Sequence, residues 1–152
     1  MSLEVIDGAK FAYGCGRYTY IFPTFDKRER DYIMHDQNVM KIKKRNPNEL
    51  VEALERKIVL MDLRSSKIKN EIFDFKMDIN TIEVLSENNI FYGGKMGEIG
   101  LIDIRKPNIH IWNPPEILHK GKIADILKIG NDVITADANG SIIQWKGSNF
   151  RW

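Results

Sequence analysis

Cysteine is almost missing from this 152-residue chain, and the lone Cys15 excludes an intramolecular disulfide and suits a reducing compartment. Histidine is nearly as scarce. His35, His110 and His119 are dispersed, with no Cys pair and no His-x-x-x-His spacing, so no metal site is expected. An excess of charge is lacking too: 23 Lys and Arg against 21 acidic residues leave a net charge of +2, too weak a field to gather a polyanion. No apolar run approaches the ~18 residues of a membrane span. The opening Met-Ser-Leu-Glu-Val-Ile-Asp has neither a basic nor an apolar leader segment. An intracellular protein of cytosol or nucleus, with no membrane partner, is the expectation. Hydrophobic residues at 43% and charged residues at 29%, with neither dominating a long stretch, describe a globular chain rather than a disordered one.

What is present is a beat. An apolar run ends in a paired signature four times, at Phe25-Asp26, Met61-Asp62, Ile102-Asp103 and Trp145-Lys146, in steps of 36, 41 and 43 residues. A period near ~40 to 45 is that of a four-stranded propeller blade and exceeds most helical solenoid units. A second set of positions keeps the same time: His35-x-x-x-Val39, Phe75-x-x-x-Ile79 and His119-x-x-x-Ile123 open three units. Turns before the closing strands recur at Cys15-Gly16-Arg17, Glu55-Arg56, Met96-Gly97 and Asn139-Gly140. Runs rich in Ile, Val, Phe and Tyr, broken by Gly, Asn and Pro, predict four blades over about 3–35, 36–75, 76–113 and 117–152. One segment also carries helix signals. Asn48 to Met61 has an N-cap candidate, apolar residues at helical spacing and a Glu52–Arg56 pair. The phase of Met61-Asp62 favours strands there.

On these residues the chain resembles a run of degenerate WD repeats, most clearly in its fourth unit. In that family a His, a Ser or Thr, an Asp and a Trp form a hydrogen-bonded structural tetrad. The resemblance places His119, Thr135, Asn139 and Trp145 in those roles, with Asn for Asp. In the other units the Trp position becomes Phe25, Met61 and Ile102, and the turn Asp becomes Thr19, Glu55 and Met96. The implied fold is all-β, a single domain of four WD-repeat-like propeller blades forming an incomplete or small ring. Propellers have about four to eight blades, and an open stack leaves two apolar faces and a sheet edge uncovered. Completion by a second copy or a partner chain is expected.

No catalytic motif survives inspection. Gly14-Cys-Gly16-Arg-Tyr-Thr19 begins like a dinucleotide loop but lacks the third Gly and a following helix, and Gly93-Gly94-Lys95-Met96-Gly97 lacks phosphate-loop spacing. The Asn139-Gly-Ser141 sequon falls in a hairpin turn. A non-catalytic scaffold with protein partners and no cofactor is expected. By the resemblance, partner contacts fall on Lys95 and Lys122. Arg64 and Arg105, each closing an Asp-x-Arg end, also occur in WD substrate receptors of cullin-type ubiquitin ligases and in WD repeats without that role. Lys41, Lys43, Lys44 and Arg45 are candidates for phosphate contact, as in an RNA-containing particle such as a ribosome-maturation complex, or for an ordinary solvated loop.

Overall fold

The computed structural model describes residues 1–8, 10–23, 31–106 and 108–149. Every blade is a small antiparallel sheet whose strands follow chain order, which short turns permit. Blade 1 contains β1 (Ser2–Asp7), β2 (Lys10–Cys15), β3 (Tyr18–Phe22) and β4 (Asp31–Met34). Blade 2 contains β5 (Val39–Asn46), β6 (Glu49–Leu54), β7 (Lys57–Asp62) and β8 (Lys67–Asp74). Blade 3 contains β9 (Ile79–Val84), β10 (Asn89–Gly94), β11 (Ile99–Asp103) and β12 (His110–Trp112). Blade 4 has β13 (Ile123–Ile129), β14 (Asp132–Asp137) and β15 (Ile142–Trp145), followed by a short 3-10 turn at Gly147–Asn149. The architecture is a four-bladed, all-β propeller arrangement. Asn48–Met61 forms the β6–β7 hairpin, with Leu50 paired to Met61. Its helical spacing is overridden because alternate residues of both strands are needed on two buried faces.

The register corrects the phase of the first unit. Trp145 pairs with Val133, Ile102 with Ile90, Met61 with Leu50 and, at the matching place in blade 1, Phe22 with Phe11. Phe25-Asp26 lies outside the described residues. Thr19 is not in a turn either: it sits in β3 opposite Gly14.

Three apolar clusters hold the blades together, one at each joint. Ile6, Ala12 and Ile21 of blade 1 meet Val39, Ile42, Leu50 and Leu54 of blade 2. Val51, Ile58 and Leu60 of blade 2 meet Ile79, Ile82 and Ile90 of blade 3. Phe91, Ile99 and Leu101 of blade 3 meet Ile123, Ile126, Val133 and Trp145 of blade 4. Burying one such side chain contributes about 1.5–3 kcal/mol, so the joints stabilise the stack more than any single strand pairing does. Blades approach closely where the second strand carries a small residue. A Cβ on Gly14 would stand 2.6 Å from Val39 Cγ1, and one on Gly93 would stand 2.5 Å from Ile123 Cγ2. Any larger residue there would push the next blade outward. Among the described residues the core clusters join blade 1 to 2, 2 to 3 and 3 to 4, and none joins blade 4 to blade 1, so the described blades follow one another as an arc.

Candidate functional site

In blades 2, 3 and 4 the opener before the inner strand meets the second strand of the same blade. In blade 4, His119 Nε2 lies 2.6 Å from Thr135 Oγ1, His119 Nδ1 lies 3.1 Å from Asp137 Oδ2, and Trp145 Nε1 donates to Thr135 Oγ1 at 2.8 Å. One proton arrangement satisfies the whole chain. The indole N–H donates to the threonine oxygen, the hydroxyl donates to Nε2, and Nδ1–H donates to the carboxylate. The acid is therefore Asp137, whereas the resemblance had assigned that role to Asn139. Asn139 stands two residues on, in the turn, and its backbone N–H donates to Asp137 Oδ1. Backbone donation from Ser141, the His119 contact and the Asn139 N–H hold the Asp137 carboxyl down to about 2. Asp-x-Asn-Gly is a turn signature in which an Asp side chain caps the backbone two residues ahead, and that was the signal for it.

Blades 2 and 3 fill the same place with other chemistry. His35 meets Glu52, which occupies the position of Thr135: Nε2 is 3.0 Å from Glu52 Oε2 and 3.1 Å from Thr19 Oγ1. All three side chains are buried. Thr19 has the hydrogen-bonding alignment, and His35 Nδ1 and both Glu52 oxygens lack a hydrogen-bond partner among the described residues. In blade 3 the pair is Phe75 and Tyr92, edge-on at 4.8 Å, extended by Phe73 and His110. Burial pushes the Tyr92 hydroxyl up and the His110 imidazole down, while Tyr92 Oη and His110 Nδ1 lie 3.0 Å apart.

Beside this aromatic group a cleft of about 830 Å³ opens between the outer strands of blades 2 and 3, below the Asn113–Ile117 connection. Phe73, Phe75, Tyr92 and Ile117 give it an apolar wall, and Asp74, Glu98 and His110 supply polar groups. Sequence reasoning missed it because its wall comes from two blades and a connection. Phe75 as an opener was the one visible hint.

The basic residues separate into distinct settings. Lys95, at the β10–β11 turn, ion-pairs with Asp78 at 3.0 Å, and exposed Lys122 precedes β13 on that same opener side. Arg64 and Arg105 follow β7 and β11 on the opposite side. Each folds back on its own acid, Asp62 at 2.7 Å and Asp103 at 2.6 Å, and each guanidinium holds that carboxyl below the usual range. These four residues do not converge. Lys41, Lys43, Lys44 and Arg45 lie within β5, not in a loop, and each already has a partner. Lys41 reaches Asp125 at 3.1 Å, Lys43 reaches Glu83 at 2.6 Å, Lys44 donates to the Ile6 carbonyl, and Arg45 binds Glu49 and the Glu87 carbonyl. A carboxylate already neutralises most of this charge, which leaves little for a phosphate. Among the described residues no helix is long and apolar enough to cross a membrane, and no three His, Cys, Asp or Glu side chains converge as a metal would need.

The sequence matches no protein-family profile and no curated protein. The fold is shared widely. A chain of the mitotic checkpoint complex superposes with a TM-score of 0.81 at 14% identity, over 96% of this chain and 46% of that one. The computationally designed Ika4 protein gives 0.73 at 14% identity over 95% of this chain and 89% of its own. The designed Ika8 protein gives 0.72 at 14% identity over 95% and 45%. The chain spans about half the length of the first and third of these. At such identity the likeness defines the class, a propeller built from blades of this kind.

Proposed function

We propose that this protein is a non-catalytic, WD-repeat-like propeller scaffold that binds protein partners within a larger macromolecular assembly, and that the cleft between β8 and β12 receives a partner segment. The observation behind this reading is the cleft itself: an aromatic floor with a few polar groups at its rim, on a rigid sheet frame, suits an extended or turn-forming peptide. Ile117 projects from the connection above it and is exposed, so it can be changed without touching a blade joint. Ile117→Glu is expected to remove cross-links between a co-purifying partner and residues 113–117 while the chain stays folded. An unchanged cross-link pattern would discard the cleft as the binding surface.

A substrate-receptor role on a cullin-type ubiquitin ligase draws support from one feature, the two alike Asp-x-Arg clasps on the side away from the openers. Co-purification of a ligase adaptor with wild type but with neither Arg64→Ala nor Arg105→Ala would favour it. An RNA-particle role predicts binding that falls steeply with salt, and the ion-paired state of Lys41, Lys43, Lys44 and Arg45 weighs against it.

A further inference from the structure

We infer that two copies of this chain close one ring, with the free face of blade 4 in each copy packed on the free face of blade 1 in the other. The three existing joints show what a finished face looks like, and both ends of the arc carry that face uncovered. On the inner strands, Leu3 occupies the place held by Ile42, Ile82 and Ile126 in the other blades, as the register with Gly14, Ala53, Gly93 and Ala136 shows. Those three are 0%, 0% and 2% exposed, and Leu3 is 61% exposed. At the far end Ile142 corresponds to Thr19, Ile58 and Ile99, which are at most 3% exposed, yet it is 72% exposed. Blade 4 also keeps the small second-strand residue of the other joints, in Ala136.

The free face of blade 1 suits another blade better than it suits water. Val5, Tyr32 and Met34, each at least 60% exposed, lie on the same face as Leu3 and carry no charge. A contiguous apolar surface of this kind marks an interface. A second copy is favoured as occupant on two grounds. Its blade 4 offers Leu127, Ile129 and Ile142, all exposed and apolar. The four blades also superpose on 46% and 45% of two longer chains, the share that half of a ring would cover. Symmetry then makes both junctions identical.

The existing joints fix which residues oppose one another. Lys44 and Lys128 reach across their joints to the carbonyls of Ile6 and Leu85. Val5 stands at the place of Lys44 and Lys128, and Ile129 at the place of Ile6 and Leu85. Val5 of one copy therefore opposes Ile129 of the other. Sedimentation velocity of the 152-residue chain at micromolar concentration is expected to give the mass of two 17.6-kDa chains. Val5→Glu and Ile129→Lys, both at exposed positions, should each weaken the dimer about 100-fold or more by burying an unpaired charge at both junctions. Their far-UV spectra should stay unchanged. The double variant should recover most of the dimer, because Glu then faces Lys at each junction. A wild-type monomer, a dimer indifferent to both substitutions, or assemblies that lengthen with concentration would each overturn the proposal.

Discussion

Blades 3 and 4 hold their openers in the same place by opposite chemistry. In blade 4 a His, a Thr, an Asp and a Trp share protons along one chain, so each polar atom finds a partner. In blade 3 the opener is Phe75, its second-strand neighbour is Tyr92, and the contact is apolar and dispersive. Blade 2 stands between them with a buried His35–Glu52 contact whose carboxylate oxygens have no hydrogen-bond partner among the described residues. The opener contact is therefore a demand of geometry, and the chemistry that meets it is free to vary. Where it became aromatic, a cleft formed beside it.

Substitutions can break that comparison at each blade. The largest effect is expected from Phe75→Ala, which removes the centre of the aromatic group and should cost about 3–5 kcal/mol of stability in urea unfolding. His35→Phe alone should cost about 3 kcal/mol, because it leaves Glu52 buried beside an apolar ring. Adding Glu52→Leu should return the protein to wild-type stability or above it, since the apolar solution already works in blade 3. A double variant no more stable than His35→Phe would mean that the His35–Glu52 contact itself is required. Thr135→Val should cost about 2 kcal/mol by stranding the Trp145 N–H and His119 Nε2 in a buried place.

The smallest effect is one of pH. The folded Asp137 carboxyl is depressed from 3.8 to about 2. Its contribution is thus fully present above about pH 4 and is lost as the pH falls towards 2. Asp137→Asn should flatten that acid limb in thermal unfolding, while Asn139→Ala, at the position suggested by resemblance alone, should leave its slope unchanged.

Strands and blades were legible because a strand's turns and its two-residue alternation are local. His119, Thr135 and Trp145 could be read from one unit for the same reason. Asp137 was misassigned to Asn139 because two turn-forming residues lie two apart, and only the direction of the His119 ring chooses between them. Lys41, Lys43, Lys44 and Arg45 read as phosphate candidates or solvated charge because their partners Asp125, Glu83 and Glu87 are distant in sequence.

The sequence by itself determined an all-β chain of four units and their order. It did so because each unit satisfies its own backbone hydrogen bonds. Which faces meet, which stay bare at the two ends, and where the cleft opens were decided by the tertiary structure alone. Those depend on how closely Gly14 and Gly93 let neighbouring blades approach, a distance set between units and written in none of them.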